Sequence, residues 1–186
     1  MKKTLFFLLI LFGVLRAQEI NFGILVETSA YLTKSYFDNN YGSKTDIYPF
    51  SVFASLSIEN EEAFVRSEAG IVFAGEDFSG FEFGIFYFQN ILNRKIYIGS
   101  GFNAHYNWGE GHGIGGSKTI FNDLFFQIPI ILNFKTTGKI DFLISTVLPL
   151  STNYGYLNVY DENKLKYDKY NIKLNGILKI GMLIKL

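Results

Sequence analysis

From residue 20 onward, apolar side chains recur at every second position, the signature of strands with two unlike faces. In the segment 20–32, Ile20, Phe22, Ile24, Val26, Ala30 and Leu32 share one face, and Asn21, Gly23, Glu27 and Ser29 share the other. Near the C-terminus Ile172, Leu174, Leu178, Ile180, Met182, Ile184 and Leu186 alternate with Lys173, Asn175, Lys179, Gly181 and Lys185. The same reading gives eight strands, over 20–32, 50–59, 63–74, 81–91, 96–106, 124–134, 140–150 and 171–186. Their apolar faces hold 50 positions, of which 44 are apolar and none is charged. The opposite faces carry Glu27, Glu59, Arg66, Glu68, Glu82, Asp141, Lys173 and Lys179. One face of every strand therefore meets a medium that admits no charge.

That medium is either a dry core or lipid. A lipocalin-like barrel or a sandwich would turn the apolar faces inward. An eight-stranded barrel, however, has an interior just wide enough for side chains to fill, and 44 residues rich in Phe, Ile and Leu exceed it. The polar face also holds Gly23, Gly70, Gly84, Gly99, Gly101 and Gly181, which suit a crowded lumen. The pattern thus predicts apolar residues facing lipid and polar residues facing inward. In lipid every backbone group must be bonded within the protein, so the sheet must close. The expected fold is all-β, an eight-stranded antiparallel up-and-down transmembrane barrel.

Connection lengths point the same way. They are short around Glu61, Arg94 and Gly138 and longer over 33–49, 75–80, 107–123 and 151–170. Outer-membrane barrels alternate short periplasmic turns with longer outer loops in this manner. Ten of the twelve tyrosines, from Tyr31 to Tyr170, fall at outer strand ends or in outer loops, and only Tyr87 and Tyr97 lie elsewhere. Such amphipathic rings collect at membrane interfaces. Pro129 sits within a strand and cannot donate to a ladder, so a local bulge is expected there. Pro149 lies near an outer strand end, and Pro49 just before a strand.

The first residues read as an address. Lys2 and Lys3 precede an apolar run from Leu5 to Leu15, followed by Ala17 and Gln18, the layout of a secretory signal peptide. The run is too short to span a membrane as a helix. The expected division is a signal peptide at 1–17 and a barrel domain at 18–186. Removing the leader takes away Lys2, Lys3 and Arg16 and leaves a slight acidic excess. The chain has no Cys, which excludes disulfides, thiolate metal sites and a lipid-modified Cys. Lys plus Arg equals Asp plus Glu at 17 each, so no basic surplus points to nucleic acid.

Two stretches resemble known sequence patterns. Leu124-Phe125-Phe126-Gln127-Ile128-Pro129-Ile130-Ile131-Leu132 is similar to the x-x-I-P-x-x-L strand of the small porin-like outer-membrane β-barrel domains. The last eight residues, Lys179 to Leu186, resemble the polar-x-Gly-x-x-hydrophobic-x-hydrophobic closing strand of such barrels, with Leu186 where an aromatic is usual. The resemblance spans essentially the whole chain after the leader. It implies location in the bacterial outer membrane, contact with outer-membrane lipid and recognition by the barrel-assembly machinery. Functions within that family vary.

Candidate chemistry is sparse. His105 and His112, the two histidines, flank Asn107-Trp108-Gly109-Glu110-Gly111. The run Ala104-His105-Tyr106-Asn107 faintly resembles outer-membrane lipid A deacylases, but Asn107 stands where their Ser would be, and nucleophilic catalysis needs an activated oxygen or thiol beside its base. The run Gly109 to Lys118 suggests a phosphate loop superficially, yet Ser117 displaces the Lys and no helix follows. The loop 151–170, with Tyr154, Tyr156, Tyr160, Tyr167 and Tyr170, reads as interfacial tyrosines on a solvated loop. No catalytic, cofactor-binding or metal-binding residue is assigned, and no nucleic-acid partner; the sequence specifies no extracellular partner. The eight charges of the polar face are expected to point into the lumen and to pair there. Closure makes the first and last strands neighbours, so Glu27 and Lys179 are expected to pair at mid-height. The expected function is a structural or porin-like envelope role without catalysis. The alternatives are a narrow ion or small-solute channel lined by lumen charges, or a lipid-modifying outer-membrane enzyme.

Overall fold

Alternation of side chains along each strand turns one row toward the barrel interior and the next away from it, and the sheet closes where the last strand meets the first. The computed structural model describes residues 19–37, 40–74, 78–108, 111–112, 118–121, 124–150, 153–161 and 166–186; the expected signal peptide, 1–17, lies outside them. The strands are β1 Glu19–Phe37, β2 Asn40–Glu59, β3 Ala63–Phe73, β4 Gly80–Leu92, β5 Ile96–Asn107, β6 Gly111–His112, β7 Lys118–Phe121, β8 Leu124–Lys135, β9 Ile140–Pro149, β10 Asn153–Asp161 and β11 Lys166–Lys185. The wall runs β1-β2-β3-β4-β5-β8-β9-β11, and β11 pairs back onto β1. That closing ladder extends from Gly23 opposite Lys185 to Lys34 opposite Lys173. All ladders are antiparallel, so the eight-stranded barrel expected from the pattern is the observed fold.

The outward rows are apolar along the whole wall. Ile24, Phe83, Ile85, Phe102, Phe126, Ile130, Ile144 and Leu178 are each 42–50% exposed. Water-soluble monomers rarely expose contiguous apolar patches beyond a few hundred Å². Closed, even-stranded, apolar outside and polar within, this is a membrane barrel of the outer-membrane type.

The short connections fall at 60–62, 93–95 and 136–139, around Glu61, Arg94 and Gly138 as expected. At the first, the Asn60 side-chain oxygen accepts from the backbone N–H groups of Glu62 (2.9 Å) and Ala63 (2.7 Å). At the second, Asn93 and Arg94 both take positive φ, 45° and 59°, and the Lys95 N–H donates to Leu92 O at 2.9 Å. Two positive φ values make the tight turn whose twist matches a hairpin. Left-handed backbone costs a residue with a Cβ about 1–2 kcal/mol. Arg94→Gly is therefore expected to be more stable than Arg94→Ala by about 1 kcal/mol, since both lose the exposed Arg94–Glu61 ion pair. Urea unfolding of the vesicle-inserted barrel measures the difference, and equal stabilities would contradict the turn conformation.

The opposite, loop end departs from expectation. The segment 33–49 is largely strand, because β1 and β2 continue as a paired ribbon to Phe37 opposite Asn40. The segment 151–170 is mostly strand too: β10 pairs with β11 and with β7, and β7 with β6, extending the sheet beyond the wall. Residues 109–110 and 113–117 of the glycine-rich run lie outside the described residues, as do the side chains of His112, Tyr36, Tyr41, Tyr154, Tyr156, Tyr160 and Tyr167.

Bulges also fall elsewhere than expected. Around Pro129 the register of β8 is continuous on both sides, so no bulge forms. The β5–β8 ladder instead omits the pairs of Gly101 with Pro129 and of Phe102 with Ile128. The Ser100 hydroxyl donates to Pro129 O at 2.8 Å. Pro49 lies not before a strand but inside β2, in a bulge where Pro49 and Phe50 together face Thr28. There the Thr28 hydroxyl donates to Tyr48 O at 2.8 Å. A second bulge inserts Asn175 into β11, between the pairs Leu32–Gly176 and Thr33–Leu174. An extra residue reverses the alternation. Ile172 and Leu174, expected to face lipid, consequently turn inward, and Lys173, expected in the lumen, is exposed.

Candidate functional site

The inward glycines make room for rings. The Phe86 ring lies across Gly84 and the Phe88 ring across Gly99, each where a Cβ would stand. Gly70 and Gly101 are pressed against the backbones of β2 and β4. Small residues and large ones thus interlock inside the barrel, in three levels from loop end to turn end.

The first level is aromatic. Phe78, in the connection between β3 and β4, folds into the mouth and is fully buried. Its ring stacks on His105 at 4.1 Å and 6°, and meets Tyr31 at 4.7 Å and Phe125 at 5.5 Å. Tyr48 packs on Tyr31 at 4.9 Å. Tyr31 thus belongs to this plug and not to an interfacial belt.

The second level is charged. Lys179 Nζ lies 2.7 Å from Glu82 Oε2 and 3.3 Å from Glu27 Oε2. The expected Glu27–Lys179 pair across the closing strands is present, but Glu82 on β4, on the opposite wall, holds the ammonium more closely. Glu82 is the hub. Its Oε1 lies 3.2 Å from His105 Nδ1, and its Oε2 accepts from the Asn103 side-chain amide at 3.1 Å. The same amide donates to Gln127 Oε1 at 3.1 Å. Glu68 takes Arg66, with Nε 2.6 Å from Oε1. All of these side chains are buried. Between the second level and Ile131 and Val147 lies a cavity of about 20 Å³, room for about one water molecule.

The third level closes the turn end. Arg66 sits over the Phe88 ring at 4.5 Å and its Nη1 donates to Asn133 Oδ1 at 3.3 Å. Lys135 pairs with Glu59 at 2.5 Å and lies over Phe64 and Tyr97, at 4.6 and 4.7 Å. Lys185 pairs with Asp141 at 2.9 Å. Below Tyr97 and Lys135 opens a depression of about 230 Å³ bordered by Glu19, Asn60, Glu61 and Arg94.

Of the eight charges expected in the lumen, Glu27, Glu59, Arg66, Glu68, Glu82, Asp141 and Lys179 are there, and Lys173 is not. His105 is fully buried between Phe78 and Glu82. The alternation could not reveal that Glu82 is the hub, because Glu82 and Lys179 are 97 residues apart. Phe78 had a faint signal, a lone aromatic in a short polar connection.

No family model matches the chain, and no curated protein matches it. Solved structures of small outer-membrane barrels are similar in architecture. The N-terminal β-barrel domain of Pseudomonas aeruginosa OprF is 11% identical, with 87% of this chain and 97% of that one covered and a TM-score of 0.42. Neisserial surface protein A is 15% identical, covering 88% and 97%, with a TM-score of 0.40. The outer-membrane protein OprG of Pseudomonas aeruginosa is 12% identical, covering 88% and 96%, with a TM-score of 0.47. The membrane assignment stands on the barrel's own apolar girdle and closed ladder.

Proposed function

We propose that this chain is an integral outer-membrane protein with a structural envelope role, a closed barrel that neither conducts nor catalyses. The observation that carries this reading is the filled lumen. Three successive levels of side chains cross it, and the cavity between them measures about 20 Å³. The charges inside are engaged with one another: Lys179 with Glu82 and Glu27, Arg66 with Glu68, Lys135 with Glu59, Lys185 with Asp141. Paired charges of this kind offset part of the cost of burial, and among the described residues the three levels leave no continuous water path. The orientation consistent with this role sets the short turns in the periplasm and the ribbons of β1–β2 and β10–β11 outside.

Planar-bilayer recording tests the proposal. The purified barrel is expected to give no unitary conductance above the bilayer's leak, and steady single-channel steps would favour the channel alternative instead. Mass analysis of lipid A with and without the protein tests the enzymatic alternative. An unchanged acyl pattern is expected.

A further inference from the structure

The chain contains a single Asn-Gly step, Asn175-Gly176, and the fold places it where the closing ladder is interrupted. Leu32 pairs with Gly176 and Thr33 with Leu174, so Asn175 has no register partner on β1. It has none on the other side either: β9 pairs with β11 from Ile177 onward, and β10 reaches only to Lys173. A residue in register has its backbone held by its neighbours and cannot swing its side chain over the next nitrogen, whereas a bulge residue is left unpaired. Asn175 is also exposed. The outward row of β11 changes there from apolar Leu178 to the exposed Asn175 and Lys173. The step thus lies at the rim of the apolar girdle, on the water side.

Gly176 leaves its own nitrogen open to attack the neighbouring side chain. Its backbone is outside the left-handed region, and only Val147 O, at 3.6 Å, lies near the place where a Cβ would stand. We propose that Asn175-Gly176 is a self-modification site, at which the neutral side-chain amide becomes a carboxylate without an enzyme. The Gly176 nitrogen gives up its proton and bonds to the Asn175 side-chain carbonyl carbon. The bond from that carbon to the amide nitrogen breaks, and ammonia leaves with the proton. The resulting five-membered imide is opened by water. Cleavage at the side-chain carbonyl gives aspartate. Cleavage at the main-chain carbonyl gives isoaspartate, in which the chain runs through the former side chain. One water enters, one ammonia leaves, and nothing is oxidised or reduced. The barrel gains a negative charge at its outer rim, beside Lys173.

The test follows the folded barrel in vesicles during a warm incubation at mildly alkaline pH. The chain is then denatured and cut with trypsin, which releases Leu174–Lys179 as one peptide. Aspartate and isoaspartate forms of that peptide, each about one mass unit heavier, are separated by chromatography. The amide is expected to be lost at a rate within about tenfold of that of the same chain unfolded in urea, because the bulge releases the step from the ladder. Protection by about a hundredfold or more in the folded barrel would overturn the proposal, since it would show the step to be held as firmly as a paired strand. Gly176→Ala has room for its Cβ and should keep the folded gel band. It is expected to slow the loss about tenfold, because a Cβ crowds the attacking nitrogen that glycine leaves bare. Equal rates in Gly176→Ala and wild type would overturn attack by that nitrogen, as would aspartate formed without isoaspartate, which direct hydrolysis of the amide would give.

Discussion

Lys179→Met is expected to destabilise the barrel by about 3–5 kcal/mol, the cost of removing one partner from a buried charge group. The substitution leaves Glu82 with His105 and Asn103 and leaves Glu27 without the ammonium 3.3 Å away. Glu27→Gln is expected to cost less, because Lys179 keeps Glu82 at 2.7 Å. From the closing strands alone, Glu27→Gln would strip Lys179 of its countercharge; the second carboxylate changes that. The triple change Lys179→Met, Glu27→Gln, Glu82→Gln should recover much of the loss, since it removes the charges together and residues in one network couple. Urea unfolding of the vesicle-inserted barrel measures all three. Wild-type stability in Lys179→Met would show that the ammonium holds nothing, and the lumen would need another explanation.

Ile130→Arg is expected to block stable insertion. Ile130 is 44% exposed on the outer wall, whereas Ile131 is 5% exposed and turned inward. An Arg on the lipid face near the bilayer midplane costs about 2–4 kcal/mol. Ile131→Asn should insert and fold, because its amide would enter a lumen already lined by Asn103, Gln127 and Asn133. A folded, heat-resistant gel band for Ile130→Arg would place that residue away from lipid.

The fold was legible because period-2 alternation is a local signal that survives without knowledge of contacts. Strands such as β8, with Phe126, Ile128 and Ile130 outward and Gln127, Ile131 and Asn133 inward, carry it without interruption. Where one residue is inserted, the signal inverts with no mark in composition, and so Lys173 and Leu174 face the sides opposite to those the alternation predicts. Polar stretches such as Asn40 to Asp46 have no apolar row, and their strand character comes from the ladder between β1 and β2. Which charges occupy the lumen could be read from the alternation. Which of them touch could not, because pairing across the barrel depends on strand tilt and side-chain reach, as Glu82 and Lys179 illustrate.

A nitroxide scan along β8 tests the central claim most directly. The chain has no Cys, so single cysteines at positions 126 to 133 can be labelled without background. In lipid vesicles the labels at 126, 128 and 130 are expected to collide freely with oxygen dissolved in the bilayer and hardly at all with a water-soluble nickel chelate. Those at 127, 131 and 133 should be shielded from both. Labels at 126, 128 and 130 that are reached by the chelate and not by oxygen would contradict a barrel whose apolar wall faces lipid.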